Sequence, residues 1–357
     1  PVGYIPKGGV IEFDAAVNTT ASCSKYYVVE CKSGSTWYKG DMFMCSGRPT
    51  GAGAHPSTIL QTFRLPEPVK GELEIRFRPT GKEKADTAAT DSAVPEMIMS
   101  KSYLAEYVQY LGNAVPKDTL NVLCVGNSFT YYWGCPAMLK EIAWNEGHYL
   151  RVKSTLKGGQ TLGDHLALPV SRNVVNAGRY DYAFFQDQSQ SPARYASDTT
   201  QFDYVNTNFL KLTDRLLSRS RNCRVILEST WSFEKDDFGG FGSYAAFDSL
   251  MTIGTSMMVR NASKIFGAND FEVSPIGRAF SIVRNENPGI DLYSADSKHQ
   301  SDYGSYLKAC VNYLMIFRKP FQSQPAEGAT SSIDCGIPHD QAAYLRQIAE
   351  RVVLGAR

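Results

Sequence analysis

The pattern of apolar and polar positions changes near residue 115. Before that point, short strand-like runs are separated by clusters of Gly, Pro, Ser and Thr, which is typical of an antiparallel sheet. In residues 72–78, Leu73, Ile75 and Phe77 alternate with charged residues, so this strand is predicted to bury one face and expose the other. Residues 80–92 predict an exposed loop, and residues 97–111 show a helical pattern.

After residue 119, short apolar runs alternate with helical patterns. Strands are predicted at 120–125, 180–185 and 224–228, with a further strand through Val152, and helices at 135–146, 202–218, 244–266, 303–317 and 340–354. This alternation favours an α/β fold with a parallel sheet between helices. We therefore predict a β-rich, sandwich-like accessory domain over residues 1–115 and a second, α/β domain over residues 116–357.

Composition and charge exclude several classes of protein. The chain is 43% hydrophobic and 20% charged, which is ordinary for a globular protein. Its formal net charge is +1 and it has no long basic run, so a nucleic-acid partner is not expected. No run approaches the roughly 20 apolar residues that a membrane-spanning helix needs. Oligomeric state stays open at this level.

The eight cysteines form no C-x-x-C pair, so neither a zinc cluster nor a bound metal is expected. Cys124 lies in an apolar run and is predicted to be a buried thiol. Three cysteines between positions 23 and 45 allow a local disulfide, which would suit an exported protein, although the pairing is left open. The sequence begins at Pro1 with no signal-peptide pattern, as expected of a processed chain.

A serine follows the first apolar run of the second domain, in Gly126-Asn127-Ser128-Phe129. Open α/β sheets place their sites beyond the carboxyl ends of the strands. A serine at such a strand-to-helix turn is well placed as a nucleophile, because the amides of the following helix face a developing oxyanion. The alternative is that Ser128 only caps the helix.

A carboxylate and an imidazole occur together in Asp296-Ser297-Lys298-His299, just before a predicted helix. Asp296 can hold one ring nitrogen of His299, which leaves the other nitrogen free to take a proton from a serine. The alternative is a surface pair near a helix start. The other four histidines lack this Asp-x-x-His spacing and are predicted to be structural or exposed.

These two blocks resemble the first and last blocks of the SGNH, or GDSL-like, hydrolases, which are mainly esterases and lipases. The resemblance covers residues 119–354 and implies a three-layer, flavodoxin-like parallel sheet. It implies that Ser128 is the nucleophile and that His299 and Asp296 complete a triad. Gly158-Gly159 is similar to the second block, which implies that Gly159, with the Ser128 amide, contributes to an oxyanion hole. No cofactor is implied.

The third block departs from the family's usual Gly-x-Asn-Asp, because this chain has Gln186-Asp187-Gln188-Ser189. Counted from the strand, Gln188 takes the place of the family's oxyanion-binding Asn. Gln186 resembles instead the Gln of the Gln-Gly-Glu motif found in carbohydrate acetylesterase branches. Either amide can donate a hydrogen bond. Gln186 is slightly preferred, and a purely structural role for both stays open.

The combination of blocks is similar to a branch of secreted esterases from gut Bacteroidetes, which implies a secreted, periplasmic or cell-surface location. Aromatic residues near the blocks, Trp133 and Trp231 among them, are predicted to stack on sugar, with an acyl pocket or the core as alternatives. The expected function is a serine esterase that removes small acyl groups, acetyl first, from carbohydrate. The alternatives are an inactive glycan-binding protein and an esterase or lipase acting on non-carbohydrate esters.

Overall fold

The structure is a computed structural model. It describes residues 118–267, 271–322 and 333–355 and, in the N-terminal part, residues 3–5, 10–33, 35–48, 59–64, 69–71, 74–80 and 97–99.

The described N-terminal residues are almost all in antiparallel strands. The strands are β1 (Gly3–Ile5), β2 (Val10–Ser33), β3 (Thr36–Arg48), β4 (Ile59–Arg64), β5 (Val69–Gly71), β6 (Glu74–Thr80) and β7 (Met97–Met99). The long β2 pairs with β3, β4, β6 and β7, and β1 pairs with β5. The antiparallel sheet predicted from the alternation is therefore present, whereas the sandwich and the domain boundary at residue 115 stay predictions.

The exposed face of β6 follows the predicted alternation. Glu74 and Arg76 are both exposed. Arg76 Nε donates to the Glu30 carboxylate over 2.5 Å, and its guanidinium lies 4.3 Å from the centre of the Trp37 ring. A cation over an aromatic face is attracted by the electrons of the ring. These contacts hold β6 against the neighbouring strands.

The helix predicted over residues 97–111 is wrong at its start, because Met97–Met99 form strand β7 against β2. A short apolar run does not distinguish a strand from a helix by its periodicity, and pairing with the edge of β2 decided the outcome. The remaining residues of that helix lie outside the described residues, as does the loop predicted at 80–92 apart from Thr80, which ends β6.

The part of the chain after residue 118 is built on a five-stranded parallel sheet. Its strands are β8 (Leu120–Gly126), β9 (Leu150–Leu156), β10 (Tyr182–Phe185), β11 (Arg224–Glu228) and β12 (Phe271–Ser274). Their spatial order is β12-β11-β10-β8-β9, and all four pairings are parallel. This is the flavodoxin-like order, in which the direction of winding reverses between β8 and β10. The predicted α/β fold class is confirmed.

Ten helices accompany this sheet within the described part of the chain. They are α1 (Ser128–Tyr131), α2 (Cys135–Asn145), α3 (Leu162–Ala167), α4 (Pro169–Asn176), α5 (Ser191–Ser197), α6 (Asp203–Leu217), α7 (Tyr244–Phe266), α8 (Ile276–Glu286), α9 (Asp302–Phe317) and α10 (His339–Leu354). A short 3-10 turn, Tyr132–Gly134, joins α1 to α2.

Two apolar cores lie on opposite faces of the sheet. In β8, Val122 and Cys124 belong to the core under α2, α8, α9 and α10, while Leu123 and Val125 belong to the core under α3 and α6. Successive side chains of a strand point to opposite faces, so a strand covered on both sides must be apolar throughout. The continuous apolar run that predicted β8 reflects this double burial.

Cys124 is a buried free thiol, as predicted. Burial raises the pKa of this thiol well above its usual value, so it stays protonated and packs as a small apolar side chain. Four further cysteines of the described part, Cys135, Cys223, Cys310 and Cys335, are also buried and free. The side chains of the three cysteines between positions 23 and 45 lie outside the described residues.

Gly254 lets α7 approach the start of α5 closely, which gives a test of the packing. A Cβ at Gly254 would lie 1.9 Å from the carbonyl oxygen of Pro192. We expect Gly254→Ala to lower the free energy of unfolding by about 1–3 kcal/mol, because backbone must move to admit the methyl group. Urea unfolding measures the change.

Thr252→Ala, at an exposed position of α7, is the matched control and should change stability by no more than about 0.5 kcal/mol. Alanine is otherwise preferred over glycine inside a helix by about 1 kcal/mol. A Gly254→Ala protein as stable as the unmodified chain would contradict the close approach.

Candidate active site

Ser128 lies at the turn between β8 and α1, next to the reversal point of the sheet. Asn127 caps α1: its side-chain oxygen accepts from the Phe129 amide over 3.0 Å. Its Nδ2 donates to the Gln160 carbonyl over 2.9 Å, which ties the turn after β8 to the loop after β9. Asn127 is therefore the N-cap of α1, and the hydroxyl of Ser128 is not needed to cap the helix. Ser128 is 8% exposed.

The structure brings Ser128, His299 and Asp296 into one chain of hydrogen bonds. His299 Nε2 lies 2.8 Å from Ser128 Oγ, and His299 Nδ1 lies 2.5 Å from Asp296 Oδ2. An ionised carboxylate only accepts, so Nδ1 of a neutral ring carries the proton and Nε2 accepts from the serine hydroxyl. The imidazole is therefore oriented to remove the proton of Ser128.

The carboxylate of Asp296 is organised by its own loop. Its Oδ1 accepts from the amides of Lys298, over 3.0 Å, and His299, over 2.9 Å. Partial burial raises the pKa of Asp296, but the hydrogen bonds from the His299 ring and from these two amides outweigh it and hold the pKa below its ordinary value. Asp296 therefore stays ionised and favours a proton on His299 Nδ1.

Two aromatic rings pack against the imidazole of His299. The ring of Tyr132 stacks on His299 with centres 4.2 Å apart and planes 14° apart, and Phe129 lies 5.1 Å away in a tilted contact. Phe129 in turn stacks on Trp231, which stacks on Phe280. This column connects the imidazole to the apolar core, so its orientation is fixed by packing as well as by Asp296.

The prediction that Trp231 binds substrate is wrong. Its side chain is 0% exposed and lies between Phe129 and Phe280, so a sugar cannot reach its face. Its Nε1 donates to the Lys298 carbonyl over 2.9 Å and thereby supports the loop that carries His299. Trp133 is partly buried against the core and has a left-handed backbone with φ of 54°. Its role in substrate binding stays a prediction.

Gln186 is placed differently from the prediction. It is fully buried, and its Oε1 accepts from the Asn127 amide over 2.9 Å and from Thr130 Oγ1 over 3.0 Å. Because a backbone N–H can only donate, the atom facing Asn127 must be the oxygen. Its Nε2 donates to the Asp187 carbonyl. Gln186 therefore supports the turn that carries Ser128 and is not accessible as an oxyanion donor.

Gln188 is the more accessible of the two glutamines. Its Oε1 accepts from the Gln190 amide over 3.0 Å, and its Nε2 makes a long contact of 3.2 Å to Ser189 Oγ. An amide NH2 has two protons, so one of them is left for another acceptor. Gln188 is only partly buried, and its role as an oxyanion donor stays a prediction.

Gly159 lies in the loop after β9, with φ of +72°, a conformation that glycine adopts without strain. The loop is held at Gln160 by Asn127 and at Leu162, whose amide donates to Asp187 Oδ1 over 3.0 Å. Within the described part of the chain, no group accepts from the Gly159 amide. Its contribution to an oxyanion hole stays a prediction.

Asp187 is a supporting residue that the motif analysis passed over. Its Oδ1 also accepts from the Gln188 amide over 2.7 Å, so one carboxylate joins the loops after β9 and β10. Burial raises the pKa of Asp187 to about 6, although the two backbone hydrogen bonds oppose the shift. Its position directly after a buried strand is the sequence signal that could have indicated this role.

His165 of α3 supports the end of β8 from the face of the sheet that α3 and α6 cover. Its Nε2 donates to the Gly126 carbonyl over 2.8 Å, and its Nδ1 accepts from Ser171 Oγ over 2.8 Å. Ser171 Oγ also contacts Thr155 Oγ1 over 2.7 Å. A carbonyl only accepts, which fixes the tautomer of the ring. His165 is therefore structural, in agreement with its predicted role.

A loop of residues 229–243, which we call the mouth loop, borders the site. Gln190 Nε2 donates to the Gly239 carbonyl over 2.6 Å, which anchors the loop beside the turn after β10. The Glu234 amide donates to the Ser297 carbonyl over 3.0 Å, which anchors it beside the loop of His299. The mouth loop therefore runs between the two segments that flank Ser128.

Phe238 is the exposed aromatic residue of the mouth loop. Its side chain is 44% exposed, and the Lys298 ammonium lies 4.2 Å from the centre of its ring. Phe233 packs edge-on against it and contacts Phe129 beside the nucleophile. A row of aromatic side chains thus extends from the turn of Ser128, through the buried Phe129 and Phe233, to the exposed Phe238.

Among the described residues, no group of three or more His, Cys, Asp or Glu side chains could hold a metal ion. A search of the same residues finds no helix with the length and apolar character needed to cross a membrane.

The sequence matches no protein-family model and no curated protein. Solved structures are similar in fold. A DUF4886 family protein from Bacteroides uniformis has a TM-score of 0.50 and 18% identity, over 66% of this chain and 95% of that chain. A catalytic mutant of Axe2, an acetylxylan esterase from Geobacillus stearothermophilus, has a TM-score of 0.40 and 14% identity, over 55% and 94% of the two chains. A lipase from a goat rumen metagenome has a TM-score of 0.39 and 14% identity, over 55% and 96%.

The strand order, the layers and the similarity to the Bacteroides uniformis protein agree on the class of fold. The C-terminal part of the chain has a three-layer, flavodoxin-like α/β fold, as the resemblance of the sequence blocks implied.

His165 makes the stability of this domain depend on pH. Burial lowers its pKa to about 4 from 6.5. Between these two values the unfolded chain binds a proton that the folded chain does not, so the stabilisation is complete above pH 6.5 and is lost as the pH falls toward 4. We expect this residue alone to lower the free energy of unfolding by about 2 kcal/mol when the pH falls from about 7.5 to about 5.

The test compares the free energy of unfolding of the unmodified chain with that of His165→Gln, whose amide can keep both hydrogen bonds without titrating. The stability advantage of the unmodified chain should shrink by about 2 kcal/mol at the lower pH. Asp187 titrates in both proteins, so its effect cancels in the difference. A pH-independent difference would show that His165 is not held neutral.

Proposed function

We propose that the protein is a serine esterase that removes small acyl groups, acetyl above all, from carbohydrate. The observation that carries the proposal is the chain of hydrogen bonds from Ser128 Oγ to His299 Nε2, 2.8 Å, and from His299 Nδ1 to Asp296 Oδ2, 2.5 Å. A nucleophile within hydrogen-bond reach of a base, itself oriented by a third group, is the arrangement that acyl transfer needs.

In the first half of the reaction, Ser128 Oγ attacks the carbonyl carbon of the ester while its proton passes to His299 Nε2. Asp296 stabilises the imidazolium that results. When the tetrahedral intermediate collapses, the bond to the alcohol oxygen breaks and His299 returns the proton to that oxygen. The alcohol leaves, and Ser128 is left as an acyl ester.

In the second half, water replaces the alcohol. His299 removes a proton from the water as it attacks the acyl carbon, and then returns the proton to Ser128 Oγ as the acid leaves. We assign stabilisation of both oxyanions to the amides of Ser128 and Gly159 and to the side chain of Gln188. The Gly159 amide has no acceptor within the described residues, and Gln188 has an amide proton to spare, which supports this assignment.

The preference for a carbohydrate substrate is supported by Phe238, not by the buried Trp231. An exposed ring matches the apolar face of a pyranose, and Phe238 lies on the mouth loop, which contacts both segments that flank Ser128. A location outside the cytoplasm, where polysaccharides occur, is part of the same proposal and rests on the sequence resemblance.

Ser128→Ala tests the mechanism. Loss of the nucleophile should lower kcat for p-nitrophenyl acetate by roughly 10³-fold or more, because the residual site can only stabilise attack by water. Ser218→Ala is the control. It is an exposed serine that follows α6, at the end of the sheet opposite the site, and its substitution should leave the rate unchanged. A Ser128→Ala protein that keeps most of its activity would exclude the mechanism.

Fluorophosphonate labelling separates the enzyme from an inactive glycan-binding protein with the same fold. Stoichiometric modification of Ser128, located by mass spectrometry, supports an activated serine. A protein that stays unmodified under conditions that label a control esterase would favour glycan binding without catalysis.

Phe238→Ala tests the substrate class. Loss of one stacking contact of about 1 kcal/mol should raise KM for an acetylated xylo-oligosaccharide roughly fivefold, with a smaller change for p-nitrophenyl acetate, which has no sugar ring. Ile265→Ala, another exposed apolar position near the end of α7, is the control. Equal effects of Phe238→Ala on both substrates would argue against sugar stacking at this ring.

A further inference from the structure

A buried ion pair lies directly beneath the segment that carries Ser128. Lys308 of α9 and Glu228 at the end of β11 have side chains that are 0% and 1% exposed, and Lys308 Nζ lies 2.6 Å from Glu228 Oε2. Removing two charges from water is expensive, and apolar residues of similar volume often serve the stability of a fold at least as well. The pair therefore calls for an explanation other than stability.

The other two protons of the ammonium are donated to the nucleophile segment. Lys308 Nζ lies 2.8 Å from the Phe129 carbonyl oxygen and 3.0 Å from Thr130 Oγ1, the two residues that follow Ser128. An ammonium has three donors, and all three have acceptors here. Lys308 thus binds Ser128's own helix, α1, to α9.

The second carboxylate oxygen extends the network to the neighbouring strand. Glu228 Oε1 accepts from Asn312 Nδ2 over 2.7 Å, one turn further along α9, and Asn312 Oδ1 accepts from Ser274 Oγ over 2.9 Å. Both partners of the ion pair are therefore fully hydrogen-bonded. A network satisfied in this way is rigid, because any shift leaves a buried charge without a partner.

On the other side, the network reaches the residue that precedes Ser128. Thr130 Oγ1 donates to Gln186 Oε1, which also accepts the Asn127 amide. The turn around Ser128 is consequently held from both ends, by Gln186 before it and by Lys308 after it. This matters because α1 has only four residues and makes few hydrogen bonds of its own.

The same helix α9 begins just after the loop of His299. Its N-cap is Ser301, two residues beyond His299, and the Ser301 side chain accepts from the Gly304 amide over 3.2 Å. The segment that carries the base and the segment that carries the nucleophile are thus both attached to α9. Two hydrogen bonds of Lys308 bridge the Ser128 segment to this helix, beside the weaker contact of Gln300 Nε2 with the Ser128 carbonyl, 3.3 Å, and the bond of Ser305 Oγ to the Tyr132 carbonyl, 2.8 Å.

We infer that Lys308, with Glu228 as its counterion, is a positioning residue that sets the distance between Ser128 Oγ and His299 Nε2. This inference rests on the proposed function. Without these hydrogen bonds, α1 can shift relative to the imidazole while the substrate site at the mouth loop is unchanged. Misplacement of a reacting group by about 1 Å can cost roughly 100-fold in rate.

The principal test is the double variant Lys308→Met/Glu228→Gln, which removes both charges and keeps an acceptor for Asn312. We expect kcat for p-nitrophenyl acetate and the rate of fluorophosphonate labelling of Ser128 both to fall roughly 10- to 100-fold, with KM changed less than about twofold. Near-UV circular dichroism and Tm report whether the fold is retained.

The matched control neutralises a second ion pair on the same helix. Arg318, the C-cap of α9, has its Nη2 2.5 Å from Glu272 Oε1, away from Ser128. Glu272 Oε2 also lies 2.7 Å from Arg224 Nη2, so this second, partly exposed pair is removed as well. Arg318→Met/Glu272→Gln should leave kcat, KM and the labelling rate within about twofold of the unmodified chain, because exposed pairs contribute little. A loss of activity confined to the Lys308 pair supports positioning.

If the double variant does not fold, two variants of Thr130 test the inference instead. Thr130→Val removes the acceptor of Lys308 and the donor to Gln186 at nearly constant volume, and should lower kcat several-fold, whereas Thr130→Ser keeps the hydroxyl and should retain the rate. A folded double variant with kcat within twofold of the unmodified chain would overturn the inference, as would equal rates for the two Thr130 variants. Failure of the proposed function is a separate result, seen as full activity in Ser128→Ala.

Discussion

The ammonium group of Lys308 carries a charge where water does not reach it, so each of its three protons must be accepted by the protein. One acceptor is the carboxylate of Glu228, and the other two belong to the residues that follow Ser128. Within a low-dielectric interior such a set of bonds tolerates little displacement. The short helix α1 therefore takes its position from the buried charge beneath it more than from its own hydrogen bonds.

The imidazole is held by a different kind of contact. Tyr132 and Phe129 both pack against His299, and Trp231 and Phe280 continue the stack from Phe129 into the core. Ring packing restricts rotation without competing for the nitrogens, which stay free for Asp296 and Ser128. The site thus combines a polar network under Ser128 with an apolar stack beside His299. Both originate in the core between the sheet and the helices α8 and α9.

The sequence motifs predict that Ser128, His299 and Asp296 lie together, and the hydrogen bonds among them agree, whereas two predictions for the surrounding residues are wrong. Ser128 and His299 were found because each follows a recognisable segment and has a short polar spacing around it. Trp231 was predicted to bind substrate because it is a large aromatic residue that closely follows a strand. Its side chain instead packs in the core and is not exposed. Gln186 matched a motif by residue type, but its neighbours Asn127 and Thr130 use its oxygen. The strand β12 and the helix α8 were not predicted.

The alternation of strands and helices, the double burial of β8 and the pairing of Asp296 with His299 can be predicted from the sequence, because they depend on local periodicity and short spacing. Tertiary structure decided which polar groups meet across distant segments. Lys308 within an apolar helix and Glu228 at the end of an apolar strand are each an anomaly in the sequence, but their separation along the chain hides the pairing. The packing of α9 over β11 brings the two charges together. The pairing is needed because burying either charge alone would cost too much free energy.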